Sequence, residues 1–263
     1  VSGLFATEAA LCAAFIADAT ESGDWIAYPE TAAFDILLVR KSDGVQIGIE
    51  AKLVLNTKVL SQALPQALHH TAAVSGPDYR AVLVPADKAG SLETICAALG
   101  ITVIRYRGKP EKGSYDYAWK AAHPFHPSLP VTAERYRRDE WHEWAPMERC
   151  ALPDYIPDAV AGSSSPIRLT DWKVKAIKMS VLLETRPVTR ADFKALGMDP
   201  GRWTDPYTKW LVATPEGYVA GPGLPNFARQ HPRNYAEVKA DAAALIAKID
   251  AAVALLPKRK KAA

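Results

Sequence analysis

The chain reads as an α/β protein: a mixed sheet with flanking helices, followed by a mainly helical C-terminal domain. Three observations lead there. An Asp-Gly turn joins two apolar runs within residues 33–54, further apolar runs alternate with helical segments up to residue 107, and helical periodicity returns after a Pro- and aromatic-rich stretch. With 263 residues and 49% apolar content the chain suits two ordinary domains with real cores. A net charge of +3 gives no whole-chain argument for a polyanionic partner, so basic residues have to be concentrated locally to matter.

Residues 3–22 place Leu4, Leu11, Phe15 and Ile16 at helical spacings and stop at Ser22-Gly23-Asp24. Glu8 falls on the core-facing side of that helix, an unusual place for a carboxylate. Three strands follow at 24–30, 33–40 and 44–54, the last two forming an antiparallel hairpin about Asp43-Gly44. A helix over 56–74 is interrupted by Pro65, a buried strand follows at 79–85, then a Ser91-capped helix ending at Gly100, and a strand at 101–107. Residues 1–107 therefore make one domain. Residues 108–166, rich in Pro, His, Trp and charge, read as a connector that packs on the core through its aromatics.

The chemistry lies in the hairpin. Asp35 begins the apolar run Ile36-Leu37-Leu38-Val39, and Glu50 and Lys52, two apart near the end of the next strand, share a face. Antiparallel pairing brings Asp35 beside them. Two carboxylates in apolar strands are electrostatically costly without a partner. A divalent cation removes that cost: Mg²⁺ (or Mn²⁺) takes hard oxygens, here Asp35, Glu50 and the backbone carbonyl of Ala51, plus water and phosphate oxygens. Lys52 beside it can orient or deprotonate the attacking water and stabilise charge on a phosphorane. That set suits phosphodiester hydrolysis.

Asp35, fourteen intervening residues, then Glu50-Ala51-Lys52, inside an α-β-β-β-α-β order, resembles the PD-(D/E)xK nuclease superfamily of restriction-endonuclease-like fold over residues 1–107. The resemblance implies a DNA endonuclease in which a first-helix glutamate, matched by Glu8, completes the metal site and a glutamine of the following helix, matched by Gln62 or Gln66, assists. The family's Pro-Asp is absent: Asp35 follows Phe34, while Pro29-Glu30 stands upstream, so Glu30 is the alternative to Asp35 as first ligand, with Asp35 preferred because it begins the apolar strand, and Glu8 or Glu30 is then the completing carboxylate. A homodimer is the arrangement by which many double-strand cutters present two metal sites. The alternative is a non-catalytic DNA-binding or recruitment protein on the same scaffold, with Asp35, Glu50 and Lys52 forming a cross-strand salt bridge.

Residues 167–263 give a helix over 169–186 with Leu169, Trp172, Ala176, Met179, Leu182 and Leu183 on one face. A second helix runs over 188–197, capped by Thr189 and ended by Gly197, a third lies over 199–211, and a hairpin occupies 212–221 about Pro215-Glu216-Gly217. This order resembles a winged helix-turn-helix domain. A last helix over 234–256 precedes the basic tail Lys258-Arg259-Lys260-Lys261. Lys173, Arg202 and Lys209 are the candidate DNA contacts, supplying phosphate attraction.

Other classes find no support. There is no Gly-rich phosphate loop or Gly-x-Ser-x-Gly elbow, and His123, His126, His142 and Cys150 match no closed zinc pattern. No run approaches the ~20 apolar residues of a membrane span, and Glu8 with the lack of a basic leader argues against a signal peptide. Three scattered cysteines, Cys12, Cys96 and Cys150, favour a reducing, cytoplasmic setting.

Overall fold

A computed structural model describes residues 5–64, 75–108, 124–130, 140–163 and 171–256. Pro65, Gln66, His69, His70, His123, Leu169 and the basic tail lie outside the described residues. The chain divides into two compact units, 1–166 and 167–263.

In the first unit α1 (Glu8–Ala19) leads into β1 (Trp25–Thr31), β2 (Phe34–Arg40) and β3 (Gln46–Ala51). Thr7 caps α1 by accepting from Ala10 N at 3.1 Å. The β2–β3 hairpin forms as expected, with Ile36 opposite Ile49 and Gly44 in the left-handed region at the turn. Gly48 is required there because the Phe34 ring lies on it, within 2.5 Å of where a Cβ would stand. Helix α2 (Thr57–Ala63) ends one residue before Leu64, whose extended backbone is what a following proline imposes.

Next come β4 (Ser75–Gly76), β5 (Tyr79–Pro85), a 3₁₀ turn through Ser91, α3 (Glu93–Ala98) and β6 (Thr102–Tyr106). Ser91 is therefore not a helix cap, whereas Gly100 does end α3 with a left-handed φ of 69°. From the connector, β7 (Phe125–His126) joins the sheet and β8 (Glu148–Arg149) pairs with β4. The six-stranded sheet has the order β1-β2-β3-β5-β6-β7, parallel between β3, β5 and β6 and antiparallel elsewhere.

Strand alternation sorts the core into two layers. Ile36, Leu38, Ile47, Ile49, Ala81 and Leu83 pack with Leu11, Cys12 and Phe15 of α1, while Val82 and Val84 pack with Val59, Leu60 and Ala63 of α2 and Cys96 of α3. The connector contributes Trp141 and Ala161 to the α1 layer.

The second unit holds α4 (Asp171–Leu183), α5 (Arg190–Ala195), α6 (Gly201–Thr204), the hairpin β9 (Leu211–Thr214) and β10 (Gly217–Ala220), then α7 (Phe227–Gln230), α8 (Pro232–Ala240) and α9 (Ala242–Ala254). Its interior is aromatic: Trp203 contacts Phe193, Trp210 and Phe227 at centroid distances of 5.8, 5.5 and 6.3 Å. Two expectations are corrected. The third helix is four residues instead of the span 199–211, because Pro206 forces Asp205 out of helical backbone and Asp205 Oδ1 then accepts from Tyr207 N in a turn. The last helix starts at Pro232, which suits a first helical position, and breaks at Asp241 into α8 and α9. Trp172 also differs: it sits at the rim, 38% exposed, while Ala176, Met179 and Leu182 are buried. No helix among the described residues is long and apolar enough to cross a membrane.

Candidate active site

Continuing the β2–β3 register one pair beyond Ile36–Ile49 sets Asp35 opposite Glu50. Asp35 Oδ2 accepts from Ala51 N at 2.8 Å, which ties the carboxylate to the end of β3. Glu50 is 3% exposed, between Asp35's strand and Val82 of β5. Lys52 lies one residue past β3, and its N–H still donates to Leu83 O at 3.0 Å, so the ladder with β5 carries it. Its ammonium donates to Glu8 Oε2 at 2.6 Å. Residues from α1, β2 and β3 thus meet at one end of the hairpin.

The electrostatics follow from that meeting. Burial pushes the Lys52 ammonium down, but the Glu8 hydrogen bond and the charges of Glu8, Asp35 and Glu50 outweigh it and hold the group above the ordinary lysine value. Lys52 is therefore held as a cation, placed to donate and to stabilise charge. The carboxyl groups of Glu8, Asp35 and Glu50 all act on this one ammonium. The buried Cys12 thiol registers the same field: burial pushes it well above the ordinary thiol range, and the negative charges of Asp35, Glu8 and Glu30 add to the shift.

Those donors fit a hard divalent cation. Asp35 and Glu50 would hold it with the Ala51 carbonyl, hard oxygen donors of the kind such an ion takes, with Asp35 fixed by Ala51 N and Glu50 nearly buried. Among the described residues no group of three or more His, Cys, Asp or Glu side chains is gathered as a ready-made cage. Glu8 accepts from Lys52 through Oε2. Of the two upstream candidates, it is Glu8 that touches Lys52, while Glu30 Oε1 accepts from Gly162 N at 3.1 Å.

Gln62 is exposed on α2, whose buried face is Val59, Leu60 and Ala63. No hydrogen bond to Glu8, Asp35, Glu50 or Lys52 is among its described contacts. The DNA-contact candidates are deployed unevenly. Lys173 is half-buried and its ammonium is pushed down by burial. The Arg202 guanidinium lies over the Trp210 and Trp172 rings at 4.9 and 5.6 Å. Lys209 is exposed in the turn that replaces the expected helix. Cys12 and Gly162 were missed by sequence reasoning, since their place at the site depends on which loop reaches α1. No family model, curated protein or solved structure matches this chain.

Proposed function

We propose that the first unit is a metal-dependent deoxyribonuclease of PD-(D/E)xK type, hydrolysing phosphodiester bonds with Mg²⁺ or Mn²⁺. The observation that carries this reading is the meeting of Asp35, Glu50 and Lys52 with Glu8 at one end of an otherwise apolar hairpin. The antiparallel run β1-β2-β3, followed by α2 and a strand parallel to β3, supports the family resemblance. When bound, the ion supplies Lewis-acid polarisation of a phosphoryl oxygen and an acidified water. Asp35, fixed by Ala51 N, and Glu50 would provide its oxygen ligands. Lys52, kept protonated by Glu8, faces the charge that grows on the phosphoryl oxygens and can orient the incoming water.

The second unit is read as a DNA-binding domain of winged-helix kind. Three helices precede a hairpin, and a bridge between Val188 and Tyr218 ties that hairpin to the link between the first two helices. The brevity of α6 shifts the contact from a helix in the major groove to the 205–210 turn, where Tyr207 is 94% exposed and Lys209 is exposed, one residue before the Trp210 ring that carries Arg202. Three free cysteines fit a reducing cytoplasm, and a homodimer would present two metal sites to opposite strands.

A panel of linear, nicked, flapped and four-way DNA, incubated with the protein and Mg²⁺, Mn²⁺ or EDTA, tests the function: cleavage of one or more substrates with a metal, abolished by EDTA, is expected, and no cleavage with either metal contradicts it. The short Glu8–Lys52 ion pair also favours a second reading, a DNA-recruitment protein whose charged residues only staple the hairpin to α1. Anomalous density from Mn²⁺ between Asp35 and Glu50 in soaked crystals separates the two.

A further inference from the structure

Glu30 lies near the end of β1, across from Asp35 in the β1–β2 register, and Glu30 and the turn residues Ala32 and Ala33 that follow all have left-handed backbone, with φ of 49°, 54° and 67°. Non-glycine residues there cost roughly 1–2 kcal/mol each, and such turns persist where neighbours over-determine them. The Glu30 carboxylate reaches from the end of β1 to the backbone N–H of Gly162. Gly162 is itself left-handed at 69°, and a Cβ there would stand 2.8 Å from Cys12 Sγ and 3.1 and 3.2 Å from the Glu8 carbonyl carbon and oxygen. Its neighbour Ala161 is buried with Leu11, Cys12 and Phe15. The 160–163 segment therefore presses directly on the backbone from which the Glu8 side chain departs.

Glu8 is the first residue of α1, where the Thr7 side chain serves one of the free N–H groups of the turn. First turns fray, so a carboxylate launched from one needs a second anchor to keep a 2.6 Å contact with Lys52. We infer that Glu30 and Gly162 are positioning residues, a strap in which Glu30 holds the 160–163 segment against the first turn of α1 and so keeps Glu8 on Lys52. Glu30 then serves the site through Glu8, not as a metal ligand. The consequence for catalysis rests on the nuclease reading; the geometric claim does not.

The test uses the full chain. Brief treatment with an amine-acylating ester, with the Lys52 peptide followed by mass spectrometry, reads how well Lys52 is covered. Glu8→Ala sets the rate for an uncovered Lys52. Glu30→Ala and Gly162→Ala should accelerate Lys52 acylation toward that rate, while Glu30→Gln, which keeps an oxygen acceptor for Gly162 N, should label like the unaltered chain. In plasmid nicking, Glu30→Ala should lose about tenfold in kcat at unchanged KM, with recovery in Glu30→Gln. Glu30→Ala labelling at the unaltered rate while Glu8→Ala labels fast would overturn the strap, as would Glu30→Gln behaving like Glu30→Ala. An unaltered chain that nicks nothing contradicts the nuclease reading alone, because the acylation rates still decide the strap.

Discussion

In the unit of residues 1–166 charged side chains are drawn into the end of an apolar sheet and balanced against one another, whereas in the unit of residues 167–263 aromatic rings fill the interior and the cations lie over them. Glu8, Asp35 and Glu50 come from three elements and act on a single ammonium, that of Lys52. Arg202 instead spreads over Trp172 and Trp210, and its charge is offered outward from a rigid aromatic floor. The first arrangement suits chemistry at a point, since a half-buried charge set is stronger than one in water. The second suits holding a polyanion, where many exposed cations add up and precise placement matters less.

The largest effect that separates the units is on stability. Trp203 is fully buried among Phe193, Trp210 and Phe227, so Trp203→Ala should cost the second unit about 3–5 kcal/mol. Urea unfolding followed by fluorescence should show that loss while metal-dependent nicking by the first unit persists; loss of both together would show the units to be coupled.

A smaller effect comes from the buried ion pair of the second unit. Asp192 is 1% exposed and accepts from Arg186 at 2.7 Å and from Thr189 N at 2.6 Å. Burial pushes its carboxyl up, but Arg186 and the Thr189 donors outweigh that and leave it below the ordinary carboxylate range. A depressed folded value means the contribution is present above the unfolded carboxylate range, about pH 4, and is lost as pH falls through the folded value. Asp192→Asn should cost about 2 kcal/mol near neutrality. Melting curves of the two proteins should approach each other below about pH 4, and a constant gap across pH would contradict the assignment.

Lys209→Ala tests whether the exposed turn meets phosphate. The log–log salt dependence of DNA binding should become shallower by about one unit, with little change in sequence preference. The smallest expected effect is a gain: Ala33→Gly relieves a φ of 67° on an exposed turn and should stabilise the first unit by about 1 kcal/mol or less. Thermal melting decides it, and a loss would mean the Ala33 methyl does more than fill space.

The hairpin was legible in the sequence because strand geometry repeats every second residue and Asp43-Gly44 marks the turn, so Asp35 and Glu50 could be paired by counting. Glu8 was legible as a carboxylate on a core-facing helix side, and the structure gives it Lys52 as partner. What counting missed depends on chain reversals and distant loops. Pro206 ends α6 after four residues although aromatic spacing continues, since a missing N–H and a restricted Asp205 outweigh periodicity. The two-residue β7, which completes the sheet, carries no period to detect. Nor does any local signal announce that Gly162 meets Glu30, 132 positions away in sequence.

Nicking of supercoiled plasmid with Mg²⁺ or Mn²⁺ by the unaltered chain, Asp35→Ala and Lys52→Ala, each shown to be folded, decides whether the Asp35, Glu50 and Lys52 cluster cleaves DNA. The account expects cleavage by the unaltered chain and a fall of about a hundredfold or more in both variants, the scale seen when a transition-state charge partner is removed. Equal cleavage by all three would contradict it.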